Sequence, residues 1–154
     1  MTSSEPLEIL IDQSRKARDS AGRVLAEERN AHEQTTGQLE ALQRYRSEYC
    51  ERLQQAMAMG INASTLADYN RFISSLDDAI TQARSLQIQQ QDRVESSSEH
   101  WRHHQSRLTS FSTLRTRRVQ LEQQQDARRE RRQTDEITQN LIARRASGDA
   151  KNPF

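Results

Sequence analysis

The sequence predicts an all-α protein, a long antiparallel two-helix coiled coil (a helical hairpin) with the second helix longer than the first. Three observations predict this fold. Only Pro6 and Pro153 are prolines among the 154 residues, so no proline interrupts a helix between them. Arg, Gln, Glu, Leu and Ala dominate, and all five favour helices. Apolar residues also recur about every 3.5 positions, the spacing of a coiled-coil seam.

The composition argues against both a compact globule and a disordered chain. Apolar residues make up 32% of the sequence, against about 45 to 50% in typical soluble domains, so a globule of this length would lack a core. Disordered chains of such polarity are usually rich in Pro and Gly, whereas this one has four glycines and two prolines. An extended helical protein satisfies both observations.

The first helix is predicted over about residues 4–58. Steps of four and three from Leu7 define its seam, in which nine of fifteen positions are apolar if Ala is counted. The stretch from Glu28 to Thr35 is polar and is expected to be the weakest part of the seam. Gly22 and Gly37 weaken the helix further, each by roughly 0.5 to 1 kcal/mol relative to Ala.

A turn is predicted over about residues 59–64, where the seam pattern breaks. Gly60 suits the left-handed conformation that ends many helices, and Asn62 or Ser64 suits the start of the next. The second helix is predicted over about residues 65–146, closed by Gly148 and Pro153 and followed by a frayed C-terminal tail. Residues 1–154 would then form a single coiled-coil domain.

The position of the turn predicts which residues face each other. With the turn centred near residue 61, partner numbers add up to about 122, so Leu42 faces Ile80 and Leu7 faces Arg115. Everything after Arg115 would have no partner, which leaves about 30 residues of the second helix unpaired. An unpaired helix draws little stability from packing, so this end is expected to be mobile.

Charge is distributed unevenly along the sequence. Residues 1–100 carry a net charge of −5 and residues 101–154 a net charge of +6. Such an asymmetry can mark an acidic partner for the basic end.

The sequence also indicates the compartment of the protein. No window of about 18 to 20 apolar residues predicts a membrane span, and Met1 to Leu10 does not resemble a secretory signal. A cytoplasmic protein is expected. Cys50, the only cysteine, is expected to be a half-buried helix residue.

The sequence contains no recognisable catalytic or cofactor-binding motif. It lacks the glycine-rich motifs that bind phosphates or dinucleotides and the serine elbow of hydrolases. His100 and His104 lie one helical turn apart, but no carboxylate or cysteine completes a metal site. We therefore expect no enzyme activity, no cofactor, no metal and no small-molecule substrate.

A second stripe of residues runs beside the seam. The spacing i, i+4, i+7, i+11 occurs in both helices, and the predicted register places the two stripes at one height. Tyr45 and Phe72 fall outside the strict seam, so they either form an exposed docking patch or merely widen the seam. The stripes comprise Gln38, Leu42, Tyr45 and Tyr49 in the first helix and Phe72, Leu76, Ala79 and Ala83 in the second.

The last part of the second helix is basic, and its arginines alternate in sequence with Asp and Glu. This alternation, and the absence of aromatic residues between Phe111 and Phe154, argue against nucleic-acid binding. Ile137, Leu141 and Ile142 form a short apolar stripe that a lone helix does not need. We interpret this stripe, with Arg128 and Arg132, as a second candidate partner-binding surface.

Several segments resemble the flagellar export protein FliJ family, and the resemblance spans nearly the whole chain. A basic region after Trp101, and Asp135-Glu136 before a small-residue, basic C-terminus, add to it. The segments are residues 39–49 (LEALQRYRSEY), Met59-Gly-Ile61, Tyr69-Asn-Arg-Phe72 and residues 76–82 (LDDAITQ).

The resemblance implies a component of the flagellar type III export apparatus, similar to the rotor stalk of rotary ATPases. It implies partners in the export ATPase FliI and its regulator FliH, the export gate protein FlhA and export chaperones, at the cytoplasmic face of the inner membrane. In the resemblance, the family's surface for binding the export gate corresponds here to Gln38, Leu42, Tyr45, Tyr49, Phe72, Leu76 and Ala79. At the edge of this surface, Ala83 stands where the family pattern has a His. The alternatives are a coiled-coil scaffold or tether and, less favoured, a helical nucleic-acid binder.

Overall fold

The computed structural model describes residues 4–150 and contains two helices, α1 (Glu5–Met59) and α2 (Ala63–Ala150). No strand occurs among these residues, and the predicted all-α helical hairpin is confirmed. Neither helix, within the described range, has a segment long and apolar enough to cross a membrane. Residues 5–59 and 63–150 lie close to the predicted helical ranges, and α2 extends further at both ends.

The turn between the helices has the predicted local chemistry. Gly60 has a φ of 87°, which suits glycine, and its N–H donates to the carbonyl oxygen of Met57 at 3.2 Å. The side-chain oxygen of Asn62 accepts a hydrogen bond from the N–H of Thr65 at 2.8 Å. Asn62, rather than Ser64, is therefore the residue that caps the start of α2.

Gly148 lies inside α2 and does not close it as the sequence predicted, because the helix continues through this position to Ala150. A glycine ends a helix when its backbone turns to positive φ, and in the described chain only Gly60 does so. Without that turn, glycine only weakens a helix. Pro153, the other predicted stop, lies outside the described residues.

The described residues group into two compact units, and the single coiled-coil domain stays a prediction. Residues 13–107 form the first, which we call the hairpin unit. Residues 4–12 together with 108–150 form the second, which we call the terminal unit. Each unit contains segments of both helices.

The hairpin unit is held by an apolar seam and by polar contacts across it. Its buried apolar residues are Ala21, Leu25, Leu39, Leu76 and Ile80. Arg18 donates to the side-chain oxygen of Gln105 at 3.3 Å, and the Gln87 amide donates to the Thr36 hydroxyl at 3.0 Å. In both pairs the residue numbers add up to 123, one more than predicted.

The middle of the hairpin unit's seam is polar, as predicted, yet two polar side chains of the unit are well buried. Thr35 is 4% exposed and Gln90 is 8% exposed. The Thr35 hydroxyl donates to the carbonyl oxygen of Ala31 at 3.1 Å. The Gln90 Oε1 atom has no hydrogen-bond partner. Buried polar side chains of this kind cost stability and can fix the register of a coiled coil.

The terminal unit has a small core near the N-terminus of α1. Leu7, Ile11 and Leu108 are buried together, and Phe111 packs against them. Arg115 forms an ion pair with Glu8 at 3.3 Å. From residue 116 to residue 150 every position is exposed, so within this unit packing between the helices stops after Arg115, where the sequence predicted.

Candidate docking surfaces

The seven residues predicted to bind the export gate lie in the hairpin unit, at different depths. We call them the aromatic patch: Gln38, Leu42, Tyr45, Tyr49, Phe72, Leu76 and Ala79. Tyr45 is 55% exposed and Phe72 is 42% exposed, and Gln38 is exposed as well. Leu42, Tyr49 and Ala79 are half-buried. Leu76 is 8% exposed and belongs to the buried apolar core of the hairpin unit.

Two rings of the aromatic patch contact each other across the two helices. The rings of Tyr49 and Phe72 have centroids 4.2 Å apart and an interplanar angle of 37°. The Arg52 guanidinium carbon lies 5.2 Å from the centroid of the Tyr49 ring, within cation–π range. Tyr49 therefore contacts two side chains, while part of the Phe72 ring stays open to a partner.

An ion pair beside the patch was missed by the sequence analysis. The Arg46 guanidinium contacts the Asp77 carboxylate across the two helices, and the hydrogen bond to Asp77 raises the pKa of Arg46. Arg46 also lies 3.8 Å from the sulfur of Cys50, which is half-buried as predicted. The predicted register holds the signal for this pair, since positions 46 and 77 face each other with opposite charges.

The histidines of α2 form a pair but not a metal centre. His100 and His104 bring their Nε2 atoms to 3.2 Å in an edge-to-face arrangement, beside an open groove of about 740 Å³. Partial desolvation lowers the pKa of His104, and the charges of His100, His103 and Arg107 act in the same direction. In the described part of the chain, no group of three or more His, Cys, Asp or Glu side chains is placed to hold a metal ion.

The second candidate surface lies on residues 116–150 of α2, which we call the tail. Ile137, Leu141 and Ile142 are each more than half exposed. Arg128 and Arg132 are exposed as well, about two and a half turns and about one and a half turns before Ile137. The tail is helical throughout, so its predicted fraying is not visible in the structure and stays a prediction.

The sequence of this hairpin matches a known protein family over almost its whole length. The model of the family described as "Flagellar FliJ protein" matches residues 3–147. The chain belongs to the FliJ family. It is thus a component of the flagellar type III export apparatus, as the resemblance implied.

Individual FliJ relatives agree with the family match. The chain is 32% identical to the flagellar FliJ protein of Salmonella typhi over 139 residues, which cover 90% of this chain and 95% of that protein. It is 31% identical to the flagellar FliJ protein of Escherichia coli K12, with the same coverage. Both comparisons span nearly the whole of each protein.

A solved structure supports the fold of this FliJ-family chain. It is the structure of a YscO homologue from Chlamydia trachomatis, with a TM-score of 0.69 and 16% sequence identity. The alignment covers 97% of this chain and 96% of that chain. At this level of identity the likeness shows a shared fold.

Proposed function

We propose that this FliJ-family chain is a non-enzymatic stalk and coupling component of the export apparatus. In this proposal the tail binds the central pore of the FliI ATPase hexamer, whose regulator is FliH, and the aromatic patch binds the export gate protein FlhA. The chain also binds export chaperones and works peripherally at the cytoplasmic face of the inner membrane. It uses no cofactor, small-molecule substrate or nucleic acid.

One observation carries the proposal: a helix of 35 residues, 116–150, has no buried position. Isolated helices gain little stability in water, and most helices in proteins depend on packing of one face. A long helix with exposed Ile137, Leu141 and Ile142 therefore fits a segment that a partner covers. The pore of a hexameric ATPase would supply such cover on all sides.

The aromatic patch supports binding to a second partner. Tyr45 and Phe72 are large apolar side chains with substantial exposure, and residues of this kind are often the anchors of an interface. Phe72 contacts the Tyr49 ring in the unbound chain, and a side chain restricted by such a contact loses less entropy on association. The exposed Arg46–Asp77 pair would form part of a polar rim.

The gate proposal is tested with the double substitution Tyr45→Ala and Phe72→Ala. Truncated interface anchors cost about 2 kcal/mol each, roughly thirtyfold in affinity, so binding to the cytoplasmic part of FlhA should fall by at least that factor. Ile88→Ala is the matched control, since Ile88 is 64% exposed and lies outside the patch. If the double variant melts far below the wild type, the two residues are core and the patch assignment is wrong.

The ATPase proposal is tested by deleting residues 116–154. Stimulation of FliI hydrolysis should be lost, whereas binding to FlhA should persist because the aromatic patch is intact. The double patch variant should show the reverse pattern. If the deletion reduces both activities equally, or neither, the tail has no separate role. Salt-sensitive DNA binding without ATPase stimulation would favour the nucleic-acid alternative.

A further inference from the structure

All the arginines in the first half of the tail, residues 116–133, lie on one side of α2. At about 100° per residue, the six arginines of this segment fall within an arc of about 160°, which we call the arginine side. The three acidic residues of the segment fall within a separate arc of about 80°, which we call the acidic side. The arginines are Arg117, Arg118, Arg128, Arg129, Arg131 and Arg132, and the acidic residues are Glu122, Asp126 and Glu130. Charges that alternate along the sequence are therefore separated in space.

The acidic side continues the side of α2 that packs against α1. Leu108 is buried with residues of α1, and Arg115 pairs with a glutamate of α1. On the helix, Leu108 and Arg115 point within about 20° of Asp126 and Glu122 respectively. The centre of the arginine side lies more than 100° from this direction. Within the terminal unit, the arginine side is therefore turned away from α1.

The arginine side has a definite length and keeps its positive charge. Asp135 and Glu136 fall on the same side of the helix in the next turn, so the run of arginines ends at Arg132 and is about 22 Å long. Arg129, at the edge of the arc, pairs with Asp126 at 4.0 Å, and both side chains are more than 70% exposed. Exposed pairs of this kind contribute little, and every position of the segment is exposed.

The arginine side also carries exposed apolar side chains. Leu121 lies near the middle of the arc and is 56% exposed. Leu114 lies on the same side two turns earlier and is 41% exposed. A leucine gains nothing from the phosphate backbone of a nucleic acid, but the boundary between lipid headgroups and acyl chains would bury it.

The distribution of charge restricts the shape of the partner. A groove of DNA would surround much of the helix and bring its phosphates near the acidic side. A flat anionic surface meets the arginine side only and leaves the acidic side in water. An anionic lipid surface is flat, offers phosphates to the arginines and can take up the two leucines, so it fits all three observations.

We propose that the arginine side binds an anionic lipid surface, with residues 114–132 of α2 lying along it and Leu114 and Leu121 entering the headgroup layer. The inference rests on the proposed location at the inner membrane and adds a direct contact with lipid, but it does not depend on binding of the ATPase. Because the ATPase pore would cover the same residues, one chain occupies either the membrane or the pore at any time.

The test uses the full chain and vesicles of phosphatidylglycerol and phosphatidylcholine in equal amounts, with vesicles of phosphatidylcholine alone as the neutral comparison. The leucine variant carries Leu121→Gln. The arginine variant carries Arg117→Gln, Arg128→Gln and Arg132→Gln. The matched control removes the same charge from exposed arginines of the hairpin unit through Arg23→Gln, Arg84→Gln and Arg93→Gln. Circular dichroism confirms that helicity is retained.

The wild type should sediment with the anionic vesicles and not with the neutral ones. The arginine variant should bind the anionic vesicles about a hundredfold more weakly at low salt, because each arginine near an anionic surface adds to the attraction. The difference should shrink at high salt, which screens the charges. The leucine variant should bind severalfold more weakly, whereas the control should bind like the wild type.

The inference is wrong if the wild type does not prefer anionic vesicles, or if the arginine variant and the control bind them equally. It is also wrong if the wild type binds duplex DNA more tightly than the vesicles and the leucine variant binds both like the wild type. Stimulation of FliI without vesicle binding would refute this inference and leave the ATPase proposal standing. Vesicle binding without stimulation of FliI would support this inference and refute the ATPase proposal.

Discussion

Two glycines of the hairpin unit should respond to the same substitution with opposite signs. Gly37 lies inside α1, and a methyl group placed there would meet no atom within 4 Å. Replacing it by Ala removes the entropic cost of glycine in a helix and should stabilise the unit by about 0.5 to 1 kcal/mol. Gly60 also has open space around it, but its φ of 87° is in the left-handed region.

At Gly60 the backbone alone decides the effect. Placing an L-residue in the left-handed conformation costs about 1 to 2 kcal/mol, so Gly60→Ala should lower the free energy of unfolding by that amount. The free energies of unfolding of the Gly37→Ala and Gly60→Ala variants should therefore differ by about 1.5 to 3 kcal/mol. For a chain of this length each kcal/mol shifts the melting temperature by about 2 to 4 °C.

Urea unfolding followed by far-ultraviolet circular dichroism measures both variants. Because the described residues form two compact units, amide exchange of peptides from residues 13–107 should be read in parallel, so that the change is assigned to the hairpin unit. The reasoning is refuted if both substitutions shift stability in the same direction. Such a result would mean that the turn can relax to accommodate Ala, or that α1 gains nothing from losing a glycine.

Two further substitutions test the packing within each unit. Ile11 is 1% exposed, so Ile11→Ala should lower the free energy of unfolding by about 2 to 5 kcal/mol. Amide exchange in residues 5–12 should become faster. Unchanged protection of these amides would contradict the assignment of Ile11 to the core. Gln90 is buried with an unpartnered Oε1 atom, so Gln90→Leu should stabilise the hairpin unit by about 1 to 3 kcal/mol. A lower melting temperature for Gln90→Leu would show that water satisfies this atom in solution.

Local chemistry explains why the helices and the turn could be predicted. No proline lies between Pro6 and Pro153, Gly60 adopts the left-handed conformation, and Asn62 caps the start of α2. Each of these features acts on a few residues of backbone, so its effect can be predicted without knowing the tertiary structure. Gly148 was misread for the same reason. A glycine permits the left-handed turn but does not require it, and α2 continues through this position.

The aromatic patch was predicted only in outline. Periodicity places Tyr45, Phe72 and Leu76 beside the seam, but it does not give their depth. The structure buries Leu76 in the core and leaves Tyr45 more than half exposed. It also stacks Phe72 on Tyr49, a contact that needs the actual spacing of the two helices.

The sequence by itself determined the all-α class, the turn, the register to within one residue and the point after which every described position of α2 is exposed. The helical class and the turn follow from backbone preferences. The register and the start of the exposed part of α2 follow from a repeat that holds over many helical turns, so a misassigned residue at one position changes them little. The tertiary structure alone decided which side chains are buried, which pair across the seam, and that the polar side chains of Thr35 and Gln90 are among the buried ones. Burial depends on the distance between two helices at each level. That distance is set by all the side chains packed there together, which no single stretch of sequence contains.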